Sequence, residues 1–397
     1  MRYAPITDRL TGLGSAKWDV HIRAKDLLAQ GRDIIELTIG EPDVPTPKAL
    51  VETAINALRQ GRTGYSNGRG EADLLDALAA RYTARCGRAI GPDQILCFPG
   101  TQTTLYAVMA ALSAAGDEVL VGDPLYATYE GVIASTGALA VAVPLRPERG
   151  FRIAAEDIAA RVTPRSRVIF LNTPHNPSGA VLTRADLIEI GAVAKAHDLW
   201  ILSDEVYEEL VFDDVEFVSP LDIPELAERT VVATSISKSH AAPGFRSGWC
   251  IGSAEFAQRL LPVAETMLFG NQPFIADMTA KAVAAPSEVA AGMRARLARR
   301  ADFLVERFAD VPEIRVHRPQ AGMFALLDVS ALGLSSLNYA FELLEETGVA
   351  VMPGCSFGTG LPGWVRLALT VTDADLERAC DRILTHAARR SSGGCAA

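Results

Sequence analysis

Between residues 94 and 253 the chain alternates short apolar runs with helix-forming segments, and this alternation restricts its fold more than any other feature. The runs cover 94–98, 118–122, 138–144, 167–172, 199–204, 230–235 and 248–252. Seven such runs with helices between most of them predict an α/β fold, a large domain whose mostly parallel seven-stranded sheet is covered by helices on both faces. Outside this stretch the pattern changes. Residues 18–30 read as a helix stopping at Gly31, 34–39 as a short strand, and 49–58 and 71–85 as helices. After Pro286 a charged helix leads to two apolar runs, 322–328 and 363–369, with another helix between them. The expectation is a large domain at 46–289 and a smaller α+β domain at 290–397 that residues 1–45 join. A chain of 397 residues suits two domains, since single cores stop growing at roughly 250–300 residues. Residues 391–397 read as frayed, and no internal repeat is present.

In a sheet of this kind ligands lie beyond the carboxyl ends of the strands, so the residues just after each run are where chemistry is expected. After 230–235 comes Lys238, flanked by Ser237 and Ser239, with Arg246 eight positions on. Such a lysine suits an aldehyde cofactor carrying a phosphate. The amine can bond to the aldehyde, while Ser235 and the planar, permanently charged Arg246 bind the phosphate. A neighbouring cation disfavours the protonated amine and keeps it nucleophilic. After 94–98, Gly100, Thr101 and Gln102 open a helix with Leu105, Val108, Met109 and Leu112 on its apolar face. Free N–H groups there seat a phosphate, or Thr101 is an ordinary helix cap. After 199–204, Asp204 could pair with a protonated ring nitrogen and Tyr207 could reach a phenolic oxygen; Asp204 could equally cap a helix. Residues 172–179 are dense in turn formers. The loop 65–70 lacks the GxxxxGK spacing of a nucleotide phosphate loop, so no ATP site is expected.

A net charge of -10 and a pI near 5.2 argue against a nucleic-acid-binding surface. Arg294, Arg296, Arg299 and Arg300 read as the solvated side of a helix. No apolar signal core or membrane span is visible, which predicts a soluble cytoplasmic protein. Six scattered cysteines without CxxC pairs or metal spacing predict neither disulfides nor a metal site.

Asn176-Pro177-Ser178-Gly179, Ser203-Asp204-Glu205-Val206-Tyr207, and Ser235-Ile236-Ser237-Lys238 through Arg246, in that order and spacing, resemble the class I/II aminotransferases of fold type I, the aspartate aminotransferase fold. These enzymes use pyridoxal 5'-phosphate (PLP). The resemblance runs from Ser15-Ala16 to Arg366. It implies that Lys238 carries the cofactor and moves the substrate proton, as one side chain serving as base and acid. Asp204 would keep the ring nitrogen protonated, Asn176 and Tyr207 would hold the phenolic oxygen, and Tyr126 would stack on the ring. Gly100, Thr101, Gln102, Ser235 and Arg246 match the phosphate cradle. Tyr65 matches a tyrosine that reaches the phosphate of the other subunit, implying a homodimer with shared sites. Arg366 would take the substrate α-carboxylate beside the backbone of Gly40. The chain departs from the commoner pattern at His240-Ala241-Ala242-Pro243, where the family more often has Tyr-Ala-Met-Thr.

The implied reaction is ping-pong transfer of an amino group from an L-amino acid to a 2-oxo acid. Gln102 stands where some bacterial aspartate aminotransferases have a lysine for a distal carboxylate, which disfavours acidic substrates. Residues 18–21, 178–180, 197–200 and 237–240 look most like the arginine:pyruvate branch. Trp18 and Asp19 are then candidate substrate contacts, with Asp19 facing a guanidinium or merely capping its helix. Aspartate, aromatic or branched-chain aminotransferases and C–S β-lyases share the fold, which alone does not choose among them.

Overall fold

The computed structural model describes residues 1–13, 16–212 and 215–393. Its large sheet has seven strands: β2 (Ile95–Phe98), β3 (Glu118–Asp123), β4 (Leu139–Pro144), β5 (Ser166–Asn172), β6 (Trp200–Asp204), β7 (Thr230–Ser235) and β8 (Gly248–Ile251). They lie in the order β2-β8-β7-β6-β5-β3-β4. All pairs are parallel except those of β8, which runs antiparallel to β2 and β7. The link 236–247 holds only the short turns Ile236–Ser239 and Pro243–Phe245, without the long helix that usually makes a parallel crossover. Every residue of β2, β3, β7 and β8 is buried, whereas β4 exposes Leu139 at the sheet edge. Burying each such Val, Leu or Ile side chain contributes roughly 1.5–3 kcal/mol.

The helices Thr101–Leu112, Tyr129–Ser135 and Ala254–Met267 close one face of the sheet around Leu105, Val108, Ile133 and Leu260. On the other face, Arg184–Ala196 packs Leu187 and Ile190 against β5 and β6, and Ala72–Cys86 with Pro273–Val283 packs Leu78 and Ile275 near β8. A separate smaller domain has its own core. There β9 (Arg315–His317), β10 (Phe324–Asp328), β12 (Met352–Pro353) and β13 (Trp364–Ala368) form an antiparallel sheet, ordered β12-β13-β10-β9. β1 (Ile35–Glu36) pairs in parallel with β11 (Val349–Ala350). The helices Asp19–Ala29, Glu288–Phe308, Ser336–Thr347 and Asp373–Gly393 cover these strands, burying Val20, Leu297, Leu343 and Ile383 in one cluster.

Three sequence expectations change. The last helix continues to Gly393, so 391–393 are not frayed, and 394–397, with Cys395, lie outside the described residues. Arg300 is buried rather than solvated, bonding Asp43, Asp373 and the Leu369 carbonyl, and Arg296 also bonds Asp43. Strand 34–39 shortens to two residues: the Leu37 amide still bonds the Ala350 carbonyl of β11, but the Leu37 carbonyl accepts from the Ala368 amide of β13. Cys86, Cys97, Cys250, Cys355 and Cys380 are free thiols. No helix among the described residues is long and apolar enough to cross a membrane.

Candidate active site

Register within the large sheet sets the floor of the site. Asn172 pairs with Asp204 and Asp204 with Ala233, so β5, β6 and β7 end side by side. Beyond these ends lies a cavity of about 250 Å³ whose walls include Trp18, Gly40, Tyr126, Asp204, Lys238 and Arg366.

After β7 the chain turns at once into the short helix Ile236–Ser239, whose first N–H groups are capped by the Ser235 hydroxyl accepting from the Ser237 amide. This turn aims Lys238 into the cavity, where its Nζ donates to the Gly40 carbonyl at 3.1 Å. Burial lowers its pKa to about 8; Glu41 opposes the shift while Arg366 and Arg246 add to it. A reactive free amine is therefore available near neutral pH.

Asp204 is 4% exposed. Its Oδ2 accepts from the Tyr129 hydroxyl at 2.7 Å and its Oδ1 from the Val206 amide at 3.1 Å. Burial nevertheless pushes the carboxyl up to about 6, against those two bonds. A carboxylate held this way gains from a buried cation placed against it.

Asn172 ties the neighbouring loop to β6, donating to the Asp204 carbonyl at 3.2 Å and accepting from the Asn176 amide at 2.8 Å. Asn176 then donates to the Tyr207 hydroxyl at 3.5 Å and accepts from Arg366 Nη1 at 2.9 Å. Arg366 Nη2 donates to the Thr38 carbonyl at 2.6 Å, while Nε is buried without a partner. The guanidinium lies over the rings of Phe324 and Phe357, 4.0 and 4.6 Å from their centroids. Burial pulls its pKa down to about 10, and no carboxylate bonds it among the described residues. It is a buried cation waiting for an anion.

A second anion seat lies at the N-terminus of the helix Thr101–Leu112. Gly100 has φ +84, and a Cβ there would stand 2.2 Å from Arg246 Nη2, so only glycine lets the guanidinium close on the helix end. The Thr101 hydroxyl is buried and unpartnered. Arg246 itself donates to the carbonyls of Pro243 and Pro99 at 2.9 and 3.3 Å. An unsatisfied hydroxyl, free helical N–H groups and a guanidinium around a space kept open by glycine fit a phosphate, with Lys238 and Asp204 placed for the ring that carries it.

The structure thus brings Gly40, Thr101, Gln102, Tyr126, Asn176, Asp204, Tyr207, Ser235, Lys238, Arg246, Arg366 and Trp18 around one cavity, with Gly100 against Arg246. Two candidates stand apart. Asp19 is exposed in the first turn of its helix and is not among the cavity walls. Tyr65 is 94% exposed and packs edge-on against Phe269, centroids 5.9 Å apart. Sequence reasoning missed Tyr129, Asn172, Thr38, Phe324 and Phe357. Asn172 ends an apolar run just as Asp204 does, which was a usable signal; the others act through packing that only the fold reveals.

The family model of aminotransferase class I and II matches residues 32–383. The chain belongs to the class I and II aminotransferases. This aminotransferase is 44% identical over 388 residues to the arginine–pyruvate transaminase AruH of Pseudomonas aeruginosa, covering 98% of each chain. It is 33% identical over 374 residues to the aspartate/prephenate aminotransferase of Cereibacter sphaeroides, covering 91% of this chain and 93% of that one. Among solved structures, a double mutant of the Thermus thermophilus aspartate aminotransferase superposes with a TM-score of 0.91 at 30% identity, covering 96% of this chain and 99% of that one. The fold class read from the seven apolar runs is the fold of these relatives, and the aminotransferase catalyses amino-group transfer.

Proposed function

We propose that this aminotransferase is PLP-dependent and takes its amino group from L-arginine or another non-acidic amino acid, with pyruvate as acceptor. The observation that carries the reading is the pair of Lys238 and Asp204 at one cavity: a buried amine at the Gly40 carbonyl, and a buried carboxylate that bonds Tyr129 and Val206 but no cation among the described residues. When bound, PLP supplies an aldehyde carbon for the amine and a ring that takes up electrons released at the substrate α-carbon. Lys238 Nζ takes the proton from that carbon and returns one in the reverse half-reaction. Asp204 would keep the ring nitrogen protonated, and Asn176 and Tyr207 would donate to the phenolic oxygen. Tyr126 would pack against the ring. Gly100, Thr101, Gln102, Ser235 and Arg246 would hold the phosphate. Arg366 clamps the α-carboxylate, with Phe324 and Phe357 keeping water from its faces.

Supporting arginine as donor are the relative that carries arginine and pyruvate in its name and the neutral Gln102, whose Oε1 accepts from the Thr128 hydroxyl at 3.0 Å. Trp18 is a wall of the cavity, and an aromatic ring there suits a guanidinium. We also propose a cytoplasmic two-fold dimer in which Tyr65 reaches the partner's phosphate, residues 46–289 forming the PLP-binding domain and 1–45 with 290–397 the smaller one. Its exposure supports this, since the ring is solvent-facing in a single chain.

Borohydride reduction of the yellow holoenzyme followed by peptide mapping is expected to mark Lys238; a label on another lysine overturns the assignment. A screen of amino acids against pyruvate and 2-oxoglutarate is expected to favour arginine with pyruvate. Aspartate as the best donor overturns the specificity, and ammonia release without an acceptor would mark a lyase.

A further inference from the structure

The cavity accounts for Lys238 but not for the buried histidine two residues after it. His240 is 4% exposed, is not a cavity wall, and stands where the chain departs from the commoner family pattern. Its Nε2 lies 3.0 Å from the Ala282 carbonyl, which can only accept. The ring therefore carries a proton on Nε2, and Nδ1 accepts from the Ser239 hydroxyl at 2.8 Å. Burial holds the imidazole below its ordinary pKa; Glu209 and the Ala282 bond oppose this and Arg81 adds to it, so the neutral tautomer persists.

Other bonds converge on the same turn. Ser287 Oγ donates to the Ser239 carbonyl at 2.6 Å, and Thr46 Oγ1 donates to the Ala241 carbonyl. Ala241 sits at φ 48, in the left-handed region that strains an L residue. Such a residue persists only where its surroundings over-determine it. Here it directly follows the turn that carries the reacting amine.

We propose that His240 is a positioning residue: its Nε2 bond to Ala282, with the Ser287 bond to Ser239, fixes the turn Ile236–Ser239 against the helices Pro273–Val283 and Glu288–Phe308. This keeps Lys238 Nζ at the Gly40 carbonyl inside the cavity. The inference rests on Lys238 as the reacting amine. A relaxed turn lets water reach the amine, whose pKa then moves toward that of an ordinary lysine.

Two amides that differ in reach provide the test. The nitrogen of a glutamine can occupy the place of Nε2 and still donate to Ala282, whereas an asparagine reaches only as far as Nδ1. Reductive methylation of the cofactor-free protein with formaldehyde and cyanoborohydride, followed across pH at the Lys238 peptide, reads the amine directly. The native midpoint is expected near 8. His240→Asn should raise it by about 1 unit toward the ordinary 10.4, and His240→Gln should leave it within about 0.3 unit of native. Glu41, Arg366 and Arg246, the charges facing Lys238, are unchanged in both. Equal midpoints for the two variants, whether both native or both raised, overturn the proposal. Should His240→Asn fail to fold, Ser287→Ala, which removes the donor to the Ser239 carbonyl, must raise the midpoint in the same direction; no shift there also overturns it. A native midpoint already near 10.4 would count instead against Lys238 as the reacting amine, which separates the two failures.

Discussion

Asp204 and Asp19 are both carboxylates singled out from the sequence, one a wall of the cavity and the other next in the chain to the wall residue Trp18, and the fold treats them in opposite ways. Asp204 ends a buried strand between two others, with each oxygen bonded, and it has no freedom to move. Asp19 stands exposed in the first turn of a helix whose preceding residue, Trp18, is the one that reaches the cavity. The floor is made by strand ends in register and the mouth by a helix end at the surface. Position on the floor is therefore dictated by backbone pairing, whereas position at the mouth depends on one side chain's direction. Chemistry common to all substrates belongs on the floor, and discrimination among substrates at the mouth.

The sharpest way to break this contrast is Asp204→Asn, which is expected to act in opposite directions on turnover and stability. In the loaded enzyme, loss of the charge partner should lower turnover on the order of 10²- to 10³-fold, the scale of removing a preorganised electrostatic contact. In the cofactor-free protein the same change should stabilise. The carboxyl moves from its ordinary 3.8 to about 6 on folding, so the folded state binds more protons than the unfolded chain between those values. Stability is accordingly lost as pH rises through that window and stays lost above it. A shift of this size is worth at most roughly 3 kcal/mol at pH 7.5. An asparagine carries no such penalty and can still bond Tyr129 and Val206. Denaturant midpoints of the cofactor-free native protein and Asp204→Asn should separate from pH 4 to pH 7.5, with the variant ahead. A gap that does not change with pH would show that Asp204 is not held against its charge.

Next in size is Arg366→Lys. A lysine cannot offer the planar fork, cannot lie over Phe324 and Phe357 in the same way, and leaves Asn176 Oδ1 or the Thr38 carbonyl without its donor. Losing one charge-assisted bond of about 1.5–3 kcal/mol should lower kcat/KM by about one to two decades for every amino acid alike. A loss confined to arginine would show that Arg366 serves one substrate's side chain and not the α-carboxylate common to all.

The same contrast governs what could be read without coordinates. Strand ends were legible because continuous apolar runs end abruptly at polar residues; 230–235 and 94–98 fall within one residue of β7 and β2. Strands of two or three residues, β9, β11 and β12, leave no period to detect and were missed. Long-range packing was illegible too. Nothing local says that Tyr129 reaches back to Asp204, that Arg300 turns inward to Asp43, or that His240 finds a carbonyl at Ala282. Motif residues on the floor met around one cavity because register, once set, leaves them nowhere else to go. Asp19 was offered from its neighbours in sequence, and helix geometry sends adjacent residues in different directions.

The smallest expected effect therefore falls on Asp19 and decides how the mouth works. If the sequence expectation of a carboxylate facing the guanidinium held, Asp19→Asn would cost arginine about one to two decades in kcat/KM and leucine almost nothing. The exposed position argues otherwise, because a charge in water contributes at most about 1 kcal/mol to a pairing and salt screens it. Asp19→Asn is expected to lower arginine and leucine alike by less than about 2-fold, since a first-turn acid contributes only about 0.3–1 kcal/mol to its helix. Trp18→Leu should then be the selective change, lowering arginine by about 2- to 5-fold more than leucine through a lost aromatic contact worth about 0.5–1 kcal/mol. Measuring kcat/KM for both substrates at low and at high salt separates the cases. A loss in Asp19→Asn that is confined to arginine and vanishes in salt would restore the carboxylate as the mouth's specificity element. Equal small losses there, with a selective loss in Trp18→Leu, would leave recognition at the mouth to an aromatic face.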